Sequence, residues 1–446
     1  MFSTLSDPGG VDFFEIEENM KKENTKKILT LLAVVIFLAV VIFLILNARQ
    51  ATTQVVETAA PATQVVETVA PAAETYPLEV PTKNAYPVEE QTDALAGDAQ
   101  VTIDYARNFT LEYKDGYKLL TVLTPWVGAT EPVQYALVPA GQPEPSGIED
   151  AMIVYTPVES FVSLSTTHLP FLEQIDALSS LVAVDSGAYI YSSDVQDMLQ
   201  SGAVSEVGSG AVINVERLVD LNPDLIMTSA SGYADYDSHP QLLEAGLNVV
   251  INSDYLEQNP LGRAEWGKFI AAFFDKELEA DRLFDEMVAR YQQAKAITEG
   301  LSERVTVFTN TAYEGTWYMP GGESYIAILL DDAGADYVFA DLEGSGAQPL
   351  DFEVVLEAAN DADYWINVGA IADLSSLAAM DARYMDFEAY QEAKVYTYSK
   401  RVNAMGAVDY FESGAASPDV ILMDLIKAFY PDLLPEHEFY FYQALQ

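Results

Sequence analysis

At 446 residues, 50% of them hydrophobic and 11% aromatic, the chain is long enough for two or three domains built around real cores. Its 69 acidic against 22 basic residues give a formal net charge of -47, a field that disfavours phosphate backbones and argues against nucleic-acid binding. Cysteine is absent, which excludes disulfides, thiolate metal sites, a cysteine nucleophile and a lipid-modified cysteine anchor.

From the N-terminus, residues 28 to 46 are apolar except for Thr30. At about 1.5 Å per residue this run matches a hydrocarbon core of ~30 Å. Lys21, Lys22, Lys26 and Lys27 precede it and only Arg49 follows closely, so the positive-inside bias makes residues 1–27 a cytoplasmic tail. The run reads as a membrane-spanning helix or a long signal sequence; it exceeds a usual signal core, and Leu46-Asn47-Ala48 is a poor cleavage site. The expectation is an uncleaved transmembrane anchor over residues 28–47, attaching the chain to the cytoplasmic membrane as a single-pass protein with its binding domain outside. Residues 48–97 carry a tandem repeat, TQVVETAAPA then TQVVETVAPA, with no period that could bury a face. They read as a disordered stalk with an end-to-end distance of roughly 40 Å.

Residues 98–147 alternate short β-type runs with turn signals such as Lys114-Asp115-Gly116, predicting a small β-rich hairpin element. Farther on, strand-like runs at 153–155, 224–227, 247–251, 305–308, 364–368 and 395–398 alternate with helical patterns, the signature of parallel α/β sheets. Between about 276 and 297 the positions Leu283, Phe284, Met287, Val288, Tyr291 and Ala294 keep a helical period for about six turns, with Asp275 as N-cap and Gly300 past the end. This long helix, 275–300, would connect an N-terminal α/β lobe at 148–274 to a C-terminal one at 301–446. The lobes echo each other: Glu216 and Glu353 each open a short helix that feeds an apolar strand.

Three stretches carry a family resemblance. They are Asn214-Val-Glu216-Arg-Leu-Val-Asp-Leu-Asn-Pro223-Asp224-Leu-Ile, Pro260-Leu-Gly-Arg263-Ala-Glu265-Trp266, and Pro320-Gly-Gly-Glu-Ser324-Tyr-Ile followed by a helix to Gly334. In this order they resemble the iron-complex and cobalamin class of periplasmic-type binding proteins that serve ABC importers. The resemblance implies an α/β fold of two Rossmann-like lobes joined by a single long helix, the class III arrangement, here preceded by the anchor and stalk. It also implies a monomer without enzymatic activity or cofactor. Such a protein captures a metal chelate between its lobes, a ferric siderophore with cobalamin or haem as variants, and delivers it to an ABC permease with its ATPase. Family members dock through one surface glutamate on each lobe, and Glu216 and Glu353 occupy the matching positions; the alternative is two ordinary solvated helix residues.

Candidate ligand contacts follow from loops at strand ends. His168 is one of three histidines, with His239 and His437 distant in sequence, so a three-histidine metal site is not expected; it is either a ligand contact or a structural residue. Tyr189, Tyr191 and Tyr233 fall in loops that resemble the family's ligand-facing loops and offer aromatic faces. Trp317 and Tyr318, in a stretch too rich in Gly and Pro to read as a strand, either stack on the ligand or pack on their own lobe. Arg401, with Asn403 beside it, and Arg263 are scarce cations that either meet an anionic ligand or close an internal ion pair; Tyr410 lies nearby. Gly-x-Ser-x-Gly, Walker and His-Glu-x-x-His signatures are absent. A tethered sensor or adhesion module, and a cell-surface hydrolase using Ser165 with His168, stand as the alternative functions.

Overall fold

The structure is a computed structural model that describes residues 100–208, 212–233 and 236–446. The expected tail, anchor and stalk lie outside the described residues.

Strands β1 (Phe109–Lys114), β2 (Tyr117–Val122) and β3 (Val133–Pro139) run antiparallel, and β4 (Ala151–Thr156) adds to β3 in parallel. The expected hairpin is thus part of a four-stranded sheet. Residues 153–155, read as the first strand of the α/β lobe, belong to this sheet instead. The Lys114–Tyr117 pair closes the β1–β2 turn with Gly116 at φ 87°, a conformation that glycine adopts without Cβ strain.

The N-terminal α/β half holds a five-stranded sheet in the order β7-β6-β5-β8-β9, every pair parallel. Its strands are β5 (Phe161–Ser163), β6 (Leu181–Val184), β7 (Ser205–Glu206), β8 (Leu225–Thr228) and β9 (Val249–Ile251). Central strands such as Leu-Ile-Met-Thr of β8 are buried throughout, because helices cover both faces and leave no solvated side to alternate with. Helices α1 (Leu169–Gln174), α2 (Ser193–Ser201), α3 (Val215–Leu221) and α4 (His239–Glu244) follow the strands, and Leu218 of α3 and Leu242 of α4 pack on one face.

Two short helices, α5 (Pro260–Ala264) and α6 (Trp266–Ala272), lead into the 22-residue α7 (Glu277–Thr298), about 33 Å long at the standard rise. All seven residues of α6 are buried, with Trp266 and Phe269 against Phe109 of the four-stranded sheet. Ala280 of α7 belongs to the N-terminal core, whereas Phe284, Met287, Tyr291 and Ala294 belong to the C-terminal one, so this helix is built into both. The N-cap position is Lys276, without a side-chain cap; Asp275 instead adopts φ 55° and pairs with Lys118 at 2.8 Å. A buried ammonium there outcompetes the capping role expected of Asp275.

The C-terminal half has a parallel sheet, β13-β10-β15, of β10 (Val305–Thr309), β13 (Ala335–Tyr337) and β15 (Tyr364–Ile366). Antiparallel strands β11 (Ala312–Tyr313), β12 (Thr316–Pro320) and β14 (Ala347–Asp351) form a second small sheet, and β16 (Tyr396–Thr397) pairs with β17 (Gln443–Ala444). Around them lie α8 (Tyr325–Asp332), α9 (Phe352–Ala359), α10 (Leu374–Met380), α11 (Glu388–Gln391) and α12 (Pro418–Phe429), the last packed along α7.

A polar knot joins the first segment of the described chain to this frame. The fully buried Glu265 carboxylate accepts the amides of Asp104, Tyr105 and Ala106 at 2.7 to 2.9 Å and pairs with Lys268 at 3.0 Å. Lys268 also pairs with Asp281 of α7 at 2.6 Å and donates to the Thr102 carbonyl. Ahead of α5, Glu257 accepts the amides of Arg107 and Asn108 and the Trp266 indole. Truncating Glu265 to alanine would leave three amides without their acceptor and take one of two carboxylates from the buried Lys268 ammonium, so Glu265→Ala should lower unfolding free energy in urea titrations by about 3–5 kcal/mol. A loss below about 1 kcal/mol would contradict the knot's structural role.

Candidate functional site

The carboxyl ends of β5, β6, β8 and β9 carry the segments 164–168, 185–192, 229–233 and 252–263, and from the C-terminal half the segment 401–412 meets the second of these. The Asn403 amide donates to the Ile190 carbonyl at 2.8 Å, and the amides of Tyr191 and Ser192 donate to Glu412 at 2.7 and 2.8 Å. The Arg401 guanidinium lies 5.1 Å from the Tyr191 ring and 4.2 Å from that of Tyr440, while its Nε bonds Asp409 at 2.5 Å. Arg263, on α5, bonds Asp254 at 3.2 Å and sits 5.6 Å from the Tyr325 ring of the other half. Both scarce cations are therefore at the junction of the halves, and both are already engaged by an aspartate of their own half.

Tyrosines cluster beside this junction, partly buried except for the fully buried Tyr442. Tyr410 stacks on Tyr398 at 5.0 Å and meets Tyr442 edge-on at 5.8 Å, and the Tyr442 hydroxyl donates to Asn367 at 2.7 Å. Burial pushes the phenols of Tyr325, Tyr410 and Tyr442 above their ordinary value, so they remain neutral donors at any physiological pH. Tyr189 and Tyr233 are exposed. Behind Tyr233 the Asp237 carboxylate accepts the amides of Ser231 and Gly232, and Trp126, from the loop after β2, stacks on His239 at 5.5 Å. Gly232 has φ 84°, and a Cβ there would come within 2.5 Å of the Trp126 ring, so only glycine fits this loop.

His168 is buried, and burial holds its imidazole down at about 4. The single Ser163 hydroxyl hydrogen goes to the Ser165 carbonyl at 2.7 Å, which leaves His168 Nδ1, 2.9 Å from that oxygen, as the donor. The ring is therefore the neutral Nδ1–H tautomer, with Nε2 bare. Ser165 instead bonds Thr167 and caps the turn, so the nucleophile–base pair of a hydrolase is not formed. His239 is with Trp126, and His437 bonds Asp424 near the C-terminus; among the described residues no cluster of three His, Asp or Glu is gathered for a metal ion.

Trp317 is corrected from ligand-stacking to core. The stretch around it forms β12, whose alternation buries Trp317 completely among Phe308, Phe352, Trp365 and Tyr384, with its indole bonded to the Thr309 carbonyl. Tyr318, on the opposite face of the strand, is half-buried. Glu216 is exposed in the first turn of α3; Glu353 is exposed in the first turn of α9 and pairs with Arg383 at 3.1 Å. Tyr325, Tyr398, Tyr440, Tyr442, Asp254, Asp409 and Glu412 went unrecognised in the sequence. The i, i+2 spacing of Tyr396 with Tyr398 and of Tyr440 with Tyr442 was the available signal, since β16 and β17 pair.

The sequence profile of the periplasmic binding proteins matches residues 162–402, more than half of the chain. The chain belongs to that family. Its members bind solutes and are not enzymes, and they deliver small-molecule chelates to ABC permeases. Two uncharacterized lipoproteins of Methanocaldococcus jannaschii are similar to this binding protein. One is 27% identical over 366 residues, covering 76% of this chain and 84% of the relative; the other is 26% identical over 346 residues, covering 74% and 83%. Among solved structures, a possible iron-binding (periplasmic solute-binding) protein from Staphylococcus epidermidis is 19% identical with a TM-score of 0.47, covering 62% of this chain and 100% of that one. A periplasmic haem-binding protein from Roseiflexus sp. RS-1 is 20% identical with a TM-score of 0.47, covering 62% and 99%.

These relatives correct the expected single-pass localisation. Both Methanocaldococcus proteins are lipoproteins, held by lipid rather than by a helix through the bilayer, and among the described residues no helix is long and apolar enough to cross a membrane. Residues 28–47, on which the expectation rested, lie outside the described residues.

The depressed His168 value carries a sign. Below about pH 6.5 the unfolded chain takes up a proton that the folded one refuses, so the contribution of His168 to stability is lost as pH falls toward about 4. Imidazole NMR should report a neutral Nδ1–H ring for His168 from pH 8 down to about 5. A titration near pH 6.5 would contradict its burial.

Proposed function

We propose that this protein is the capture component of an ABC importer, holding an iron chelate of the ferric siderophore type between its two α/β halves and passing it to a permease driven by an ATPase. The observation that carries this reading is the cluster of tyrosines at the junction of the halves, Tyr191 and Tyr440 about Arg401 and Tyr398 on Tyr410, with two guanidiniums whose charge is offset by Asp254 and Asp409. Aromatic faces and neutral phenol donors suit a bulky conjugated ligand held by stacking and a few directed hydrogen bonds. Haem and cobalamin are the neighbouring alternatives because they offer the same flat surfaces. The proposed contacts are His168 through Nε2, Tyr189, Tyr191, Tyr233, Arg263, Tyr318, Arg401, Asn403 and Tyr410. Titrating the chain with ferric siderophores, haem and cobalamin should quench intrinsic tryptophan fluorescence with micromolar or tighter affinity for one of them. No response to any of the three would exclude this ligand class.

Glu216 and Glu353 are the proposed docking residues, one on each half and each in the first turn of a helix. Exposed carboxylates so placed guide orientation and encounter with a basic surface more than they add affinity. For Glu353 the partner arginine would replace Arg383. Reversing both residues to lysine should abolish uptake by cells carrying the permease while ligand affinity stays within about twofold. Loss of ligand binding in that variant would contradict the docking role.

A further inference from the structure

The segment 401–416 belongs to the C-terminal half by chain order, yet its contacts run across to the other half. Glu412 is buried, at 4% exposure, and each of its oxygens takes one amide from the opposite half, that of Tyr191 or that of Ser192. The Asn403 bond to Ile190 and the Arg401 guanidinium over Tyr191 complete the junction, and a few residues on Ala416 enters the N-terminal core. Tyr191 is thus fixed through its backbone by one residue of the far half and through its ring by another. We propose that Glu412 is a positioning residue that clamps the two halves at the solute site and sets Tyr191, and that loss of its proton loosens the clamp.

The surroundings make this carboxyl proton-sensitive. The charged groups that face it are Glu173 at the end of α1, which accepts the Ser192 hydroxyl at 2.5 Å, and Asp409 on its own segment, held by Arg401 and Ser413; Asp194 opens α2 just beyond Ser192. Arg401 is committed to Asp409, so the direct surroundings of Glu412 are anionic. Burial, outweighing the two amide bonds and aided by Asp409 and Glu173, pushes Glu412 from its ordinary 4.5 up to about 7. A released Glu412, back in water, returns to the ordinary value. The clamped state therefore takes up a proton between about pH 4.5 and 7: its advantage over the open state is complete below that window and is lost as pH rises through about 7. Protonated, the group keeps its carbonyl oxygen for one amide, weakens its bond to the other, and sheds its repulsion from Glu173 and Asp409.

The proposal rests on the solute-binding reading for its purpose, but its test needs no solute. The chain has no cysteine, so Leu243→Cys on α4 and Met380→Cys on α10, both exposed, give one spin label on each half. Pulsed electron-spin distances in the full chain should lengthen as pH rises from about 4.5 to about 7 and change little above that. Glu412→Gln, a permanently uncharged isostere, should hold the short distance at every pH. Glu412→Ala, which has no acceptor, should hold the long one, and Glu412→Asp should restore a pH response. Circular dichroism confirms that each variant is folded. A wild-type distance that ignores pH, or a pH response that persists in Glu412→Gln, overturns the clamp. Either result leaves solute binding untouched, just as failure of the fluorescence titrations would leave the distances intact.

Discussion

Lys268 and Glu265, 1% and 0% exposed, form the constraint on which the arrangement of the described chain depends. A buried ion pair persists only if every remaining donor and acceptor is also satisfied. An ammonium has three hydrogens, and here they go to Glu265, to Asp281 on the connecting helix and to the Thr102 carbonyl of the first segment. Three elements remote in sequence are thereby fixed by one group. Lys118, bonded to Asp275, Glu277 and the Ala272 carbonyl, repeats the device at the start of α7. Together they set the direction in which the connecting helix leaves the N-terminal half, and so where the C-terminal sheet presents its strand ends.

In a chain with 22 basic residues and 69 acidic ones, the placing of cations is informative. Those that matter structurally are engaged by carboxylates: Arg290 with Asp419, Arg263 with Asp254, Arg401 with Asp409. At the proposed solute site this leaves little net positive charge, and short-range recognition there would fall to tyrosine faces and hydroxyls. The long-range field is a separate matter. It is strongly negative and is screened over about 8 Å at physiological salt, so it acts on the approach of basic partner surfaces rather than on a ligand already seated.

The legible parts of the sequence were those governed by a local period. The connecting helix was readable because Leu283, Phe284, Met287, Tyr291 and Ala294 repeat at helical spacing, and the observed Glu277–Thr298 differs from the expectation by a residue. The α/β character was readable because strands covered on both faces are apolar runs. Gly315, Gly321 and Gly322 read as loop signals, but they bound a short strand whose alternation sends the Trp317 indole inward. Asp275 was misassigned because its partner, Lys118, lies 157 positions away. The same blindness hid Glu412: its bond to Tyr191 spans 221 positions, and no spacing rule connects a carboxylate with amides so remote. The family motifs carry no information on the pairing of these residues within the fold.

The sharing of elements between the halves bears on how a solute would be recognised. Leu261 and Ala264 of α5 sit in the C-terminal core, Ala416 sits in the N-terminal one, and α7 is built into both. Interiors packed in this way are not continuously deformable, so large rigid-body closure would require core contacts to be remade. Motion is restricted to what the polar junction at Ile190, Tyr191 and Ser192 permits. Specificity then has to come from loops that are already in place: Asp237 fixes Ser231 and Gly232, Trp126 covers that loop from outside the family-matched region, and Asp409 orients Arg401. A preformed site of this kind spends little ordering entropy on binding, and changes in its selectivity require substitutions in the residues that brace the loops as much as in those that would touch the solute.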